Sequence, residues 1–115
     1  MFGDASIDVL SAALGGLAAR QRAVSDDIAN VNTPYYRAKS VAFEGELSQA
    51  VASGADPASV TPTVAQSTAP VGLTYSNVDL NAETITSVNT QLAYDLALRA
   101  TGDRFSLLRT AAKGA

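Results

Sequence analysis

The chain has 115 residues, 47% of them hydrophobic, and a net charge of −3 from eight basic and eleven acidic side chains. That length supports one core, and the acidic balance argues against a nucleic-acid ligand, which calls for a basic patch. There is no His and no Cys, which excludes Ser-His-Asp and Cys-His catalysis and removes the usual ligands of zinc, haem and iron–sulfur sites, so no cofactor or metal is expected.

The first element expected is a helix over about residues 5–31. Ile7, Leu10, Leu14, Leu17, Val24, Ile28 and Val31 recur at alternating steps of three and four, with Gln21 in the one polar slot. That is an a/d heptad seam, and it needs another helix to cover it. Ser6, or Asp4 before it, is the candidate cap, with Asp8 near the positive end of the helix dipole. Gly15-Gly16 reads either as a locally weak helix or as a bend or a close helix–helix approach. Asn32-Thr33-Pro34 stops the helix, because proline drives the residue before it out of the helical region. Val41 and Phe43 then alternate with Ala42 and Glu44, which fits a short strand or extended arm, with a helical turn around 44–51 as the alternative.

Residues 52–76 carry Pro57, Pro62 and Pro70 and a single charge, Asp56. No helical period survives there, and the stretch reads as an irregular, partly flexible connection. A second long helix is expected over 79–113, capped by Asp79 or Asn81 with Glu83 in its first turn. Ile85, Val88, Leu92, Leu96 and Ala100 mark one stripe on it, and Tyr94, Leu98, Phe105 and Leu108 a second. Arg104, Arg109 and Lys113 suit the negative end of its dipole. The fold class expected is therefore all-α: two long terminal helices pairing as a coiled coil, joined by an irregular middle over about 32–78, in one domain spanning 1–115. Much of the hydrophobic total is alanine, with no Trp and only three Phe and four Tyr, so the chain is expected to complete its core against partners.

No catalytic constellation stands out. Asp26-Asp27 and the pair Glu44/Glu46 read as solvated surface, and neighbours on a helix cannot face each other as acid and base. Gly15-Gly16 lacks the Lys-Ser/Thr of a phosphate loop. No apolar run is long enough to span a membrane. Met1-Phe2-Gly3-Asp4 lacks the basic start and compact apolar block of a secretory signal, so no cleaved signal is expected.

The most specific stretch is Asp27-Ile28-Ala29-Asn30-Val31-Asn32-Thr33-Pro34-Tyr35-Tyr36-Arg37-Ala38. It resembles the N-terminal signature of the flagellar rod and hook family, approximately Asn-Ile-Ala-Asn-x-Asn-Thr-Pro-Gly-Tyr-Arg/Lys, which there also follows a heptad helix. The matching positions are Ile28, Ala29, Asn30, Asn32, Thr33, Pro34 and Tyr36. The likeness extends to Asn77-Val78-Asp79-Leu80, Tyr94, Arg104-Phe105 and Leu108-Arg109, so it covers roughly 1–50 and 76–113. Asp27 stands where the family has its first Asn, and Tyr35 where it has Gly, so the path of residues 35–40 is expected to differ from the family's.

The resemblance implies a structural protein of the bacterial flagellar basal body: a periplasmic rod subunit that stacks helically, transmits torque and is exported without a cleaved signal. The implied partners are copies of itself, the rod proteins FlgC, FlgF and FlgG, the adaptor FliE and the MS ring at the base, and the flagellar type III export apparatus. Nucleic acid and membrane insertion are not implied. The assembly seams would be Leu10, Leu14, Leu17, Val24 and Ile28 with Leu92, Leu96, Phe105 and Leu108. Asn30 and Asn32 would satisfy backbone groups at the helix stop, and Tyr36 would anchor a neighbouring surface. The competing readings are another member of the same family and a helical adaptor binding one partner helix through the seam of residues 7–31.

Overall fold

A computed structural model describes the chain at residues 2–72 and 75–114, with side chains from Ser6 onward. It is mainly helical, and two long helices flank the middle segment. Helix α1 runs Phe2–Ala29 and α3 runs Leu80–Gly114, with β1 (Lys39–Ala42), α2 (Glu44–Ser53), a 3₁₀ turn (Pro57–Ser59) and β2 (Thr63–Gln66) between them. At 1.5 Å per residue the two long helices measure roughly 42 and 52 Å.

Helix α1 starts earlier than expected. Ser6 lies inside the helix and does not cap it, and the side chain of Asp4 lies outside the described residues. Asn30 and Thr33 build the stop. The Asn30 N–H donates to the carbonyls of Asp26 and Asp27, its Nδ2 donates to Asp26 O at 2.8 Å, and Thr33 Oγ1 donates to Asn30 Oδ1 at 3.0 Å. Asp79 caps α3, its Oδ1 accepting from Ala82 N at 3.1 Å and its carbonyl from Glu83 N.

The middle segment departs from the irregular connection expected over 52–76. Thr63–Gln66 pairs antiparallel with Lys39–Ala42, in the register Lys39 to Gln66 through Ala42 to Thr63. Asp56 caps the 3₁₀ turn by accepting from Ala58 N, with Pro57 at its first position. Both possibilities for residues 41–51 are realised in succession: β1 ends at Ala42, and α2 begins at Glu44 with Glu44 and Glu46 in its first turn. Gly54 ends α2 in the left-handed region, where its N–H reaches the carbonyls of Ala50 and Val51.

Helix α1 is the central element, and α3, β1, α2 and the 3₁₀ turn all pack on it. The core is Leu17, Ala23, Val41, Phe43 and Leu47, with half-buried Val9, Ala12, Ala13, Val60, Ala93, Tyr94 and Ala97 against it. Gly16 is where the Phe43 ring lies on α1: a Cβ there would overlap the ring, whereas a Cβ at Gly15 would meet nothing. Gly16 thus permits a close approach, but of the Phe43 ring between β1 and α2 and not of a second helix as expected. Arg20, one turn further along α1, lies over that ring at 5.1 Å from its centroid and donates to Val41 O and Glu44 Oε1.

Helices α1 and α3 run antiparallel. Arg20 and Val24 share a cleft with Glu83 and Thr86, Gln21 Nε2 donates to Ser87 Oγ at 2.9 Å, and Val9 and Leu10 lie beside Ala100 and Arg104. From Gly102 to Gly114, α3 is exposed on every side.

Candidate assembly surface

The face that α3 turns to α1 consists of small and polar residues. Thr90 is buried, and Glu83, Thr86, Ser87, Ala93, Tyr94, Ala97 and Thr101 are half-buried. This follows the 3.6-residue period as well as the apolar stripe does, one face over. The large apolar side chains point elsewhere. Ile85, Val88, Leu92 and Leu96 form an exposed ladder, with Leu92 and Leu96 59% and 57% accessible. Leu98, Phe105, Leu107 and Leu108 are exposed as well. Small residues on the inner face let the two helices lie close, which leaves the ladder without a cover in this chain.

On α1 the seam residues divide. Leu17 and Val24 are buried, Leu10 and Leu14 are half-buried, and Ile28 is exposed. The structure thus brings Leu17 and Val24 into its own core and leaves Leu92, Leu96, Phe105 and Leu108 on the surface.

The shape fits a molecule with surface to cover. The extents are 64 × 26 × 14 Å and the radius of gyration is 17.7 Å, against about 13 Å for a compact chain of this length. The accessible area is 7575 Å², whereas a compact monomer of this mass exposes about 5,900 Å². The excess is comparable to what a standard protein–protein interface removes from water.

No protein-family model matches the chain, and no curated protein matches it.

Asp27 corrects the reading of Asp26-Asp27 as solvated surface. Asp26 is exposed, but Asp27 is 0% accessible. One turn of α1 before the stop, its carboxylate accepts from Tyr36 OH at 3.0 Å and from the Lys39 N–H at 3.1 Å, so it gathers the returning chain against the helix. Burial, and then the Asp27 hydrogen bond, push the Tyr36 hydroxyl up to about 12. Within the chain, Tyr36 anchors the returning backbone to α1. Lys39 completes the cluster, its Nζ 3.7 Å from Asp26 and 6.0 Å from the Tyr36 ring centroid.

Tyr35 keeps the turn that a glycine would make. Its φ is +65°, its N–H donates to Tyr75 O at 3.0 Å, and its side chain is 85% accessible. That is a left-handed conformation, which glycine adopts freely and Tyr35 holds under strain. Ala29, Asn32 and Pro34 are exposed.

Asn77 was legible only as part of a family pattern, yet it holds the middle segment in place. Its Oδ1 accepts from Ala38 N at 2.6 Å, and its Nδ2 donates to the carbonyls of Ser67 and Ala69, both at 3.1 Å. The backbone N–H of Asn77 donates to Tyr36 O, and Ser76 Oγ donates to Val31 O at 2.6 Å. Among the described residues no group of three or more side chains could hold a metal ion, and no helix is long and apolar enough to cross a membrane.

Proposed function

We propose that this chain is a structural subunit of the bacterial flagellar rod, of the FlgB kind, standing at the proximal end of the shaft that carries torque towards hook and filament. The observation that carries the reading is the bare ladder Ile85, Val88, Leu92 and Leu96 on a chain whose α1 ends in the Asp27–Ala38 signature. Helices that expose such a face gain about 1.5–3 kcal/mol for each large side chain they fully cover. In the proposed rod, α3 pairs with helices of neighbouring subunits as a coiled coil, and the many repeated contacts resist shear. The neighbours would be further copies, FlgC, FlgF and FlgG, with FliE and the MS ring at the base. The chain would reach the growing tip through the flagellar type III export apparatus and act in the periplasm.

Two sequence features favour FlgB over the sister protein FlgC. The α3 stretch Leu92-Ala93-Tyr94-Asp95-Leu96-Ala97 lacks the Arg-x-Tyr-x-x-Asn run usual in FlgC, and no β-domain is inserted as in the larger distal-rod and hook proteins. The adaptor reading relies on a free α1 seam, of which Leu17 and Val24 are already covered within the chain.

Deletion of the gene followed by electron microscopy of purified basal bodies tests the role. Rings without a rod, with motility restored by the intact gene but not by Leu96→Asp, are expected. Complete rods and normal swimming in the deletion strain would overturn the proposal.

A further inference from the structure

The outward face of α3 carries an order of charge that selects its occupant. Val88 and Leu92 lie two residues to either side of buried Thr90, about half a turn round the helix, so the ladder Ile85, Val88, Leu92 and Leu96 faces away from α1. From Asp79 to Ala97 there are three acids (Asp79, Glu83 and Asp95) and no cation. From Leu98 to Gly114 there are four cations (Arg99, Arg104, Arg109 and Lys113) and one acid, Asp103. Both ion pairs among the described residues, Arg20–Glu44 and Lys39–Asp26, lie outside α3. A helix that covers the ladder favourably therefore sets cations beside the first half of α3 and acids beside the second. We propose that this helix is the α3 of a second copy of the chain, running antiparallel in a closed two-fold dimer.

Apolar fit and charge agree on one register. With the two-fold axis at Gln91, Ile85 comes level with Leu96 of the second copy and Val88 with Leu92. The same axis brings Arg99 level with Glu83 of the second copy and Arg104 with its Asp79. Asp103 is the one acid brought level with a like charge. Glu83 and Asp79 sit on the α1 side of α3, about 10 Å from the contact, a helix diameter away. That is close to the screening length of about 8 Å at physiological salt, so the charges set direction and the ladder supplies most of the affinity. A parallel copy would stack Glu83 on Glu83 and Arg99 on Arg99. Helix α1 of a second copy fits less well, because its charges run acid, base, acid: Asp4 and Asp8, then Arg20 and Arg22, then Asp26 and Asp27.

The symmetry has a consequence for assembly. A two-fold contact closes on itself and stops at two copies, whereas a helical shaft is built from head-to-tail contacts that propagate. The dimer is thus a capped form of the subunit, in which the ladder is withheld from other neighbours. That consequence rests on the rod proposal, but the dimer does not. Rods that survive deletion of the gene would leave the dimer standing, and a monomeric chain would leave the rod proposal standing.

The test uses the purified full chain. Sedimentation equilibrium from micromolar to submillimolar concentration should show the mass rising from one chain to two and no further. Leu92→Asp should remain a single chain throughout, with the circular dichroism of the wild type. Arg99→Glu combined with Arg104→Glu should raise the dimer dissociation constant about tenfold at low salt, and the difference should shrink as salt is added. The chain has no Cys, so a single introduced cysteine takes a spin label cleanly. Dipolar spectroscopy should then give a separation under about 20 Å for Gln91→Cys, beside the axis, and about 55 Å for Thr110→Cys, far from it on either side. A chain that stays monomeric, a mass that climbs past two copies, a Thr110 separation as short as that at Gln91, or a Leu92→Asp protein that dimerises like wild type would each overturn the proposal. The wild-type mass and the two labels on exposed positions decide even if Leu92→Asp fails to fold.

Discussion

Adjacent glycines in α1 offer a sharp test of the packing. Gly15→Ala adds a methyl into open space on a helix, and Gly16→Ala drives the same methyl into the Phe43 ring. The helical preference of Ala over Gly is worth about 1 kcal/mol at either site. At Gly15 that gain stands alone, so the melting temperature should rise by about 4 °C. At Gly16 it is set against overpacking of a filled core, which costs typically 1–3 kcal/mol. Phe43 cannot turn aside freely: it is 4% accessible, with the Arg20 guanidinium over its ring and Gly16 against it. The net effect at Gly16 should be a loss of about 0–2 kcal/mol, which is about 1–3 kcal/mol below Gly15→Ala, with weakened packing of β1 and α2 on α1. Thermal and urea melts of the two variants beside wild type decide the matter. A Gly16→Ala protein as stable as Gly15→Ala would refute the placement of Phe43 on α1.

Tyr35→Gly should raise stability by roughly 0.5–1 kcal/mol, since a left-handed L-residue costs about 1–2 kcal/mol and glycine returns part of that as unfolded-chain entropy; a lowered melting temperature would show that the exposed ring makes a contact worth more than the strain. Asn77→Ala removes the acceptor for Ala38 N–H and the donors to Ser67 and Ala69, and should cost about 2–3 kcal/mol in a urea melt; loss below 0.5 kcal/mol would contradict its bridging role. Leu96→Asp lies on an exposed face, so its monomer should melt within about 0.5 kcal/mol of wild type while rod assembly fails. A variant that unfolds instead would mean that Leu96 is packed within the chain.

The long helices were legible because three-four spacing survives any tertiary context, and Asn32-Thr33-Pro34 marks the stop to within a few residues, although α1 ends at Ala29 on the hydrogen bonds of Asn30 and Thr33. The inner face of α3 was not legible. It packs through Thr86, Thr90, Ala93 and Ala97, which carry little hydropathy, while the leucines that dominate the pattern face outward. Strand β2 escaped notice because four exposed residues show no alternation to read. Its place is set by pairing with β1 and by Asn77, both distant in sequence. Asp27 was hidden for a related reason: an acid beside another acid on a helix reads as surface until a tyrosine hydroxyl nine residues on is seen to bond it. The left-handed Tyr35 could be flagged from the position of the glycine it replaces, but only the Tyr75 carbonyl that meets its N–H explains why the backbone holds that shape.

The last stretch of α3, Gly102–Gly114, is exposed at every position. A helix of thirteen residues in water sits near the limit at which nucleation and propagation balance. Its amides should therefore exchange with solvent far faster than those around Thr90, in a gradient that steepens past Thr101. Proteases should trim this end first and stop where α1 begins to shield the backbone. Whatever comes to lie beside it would silence both signals, so exchange protection of Phe105 to Arg109 serves as a built-in reporter of occupancy that needs no label.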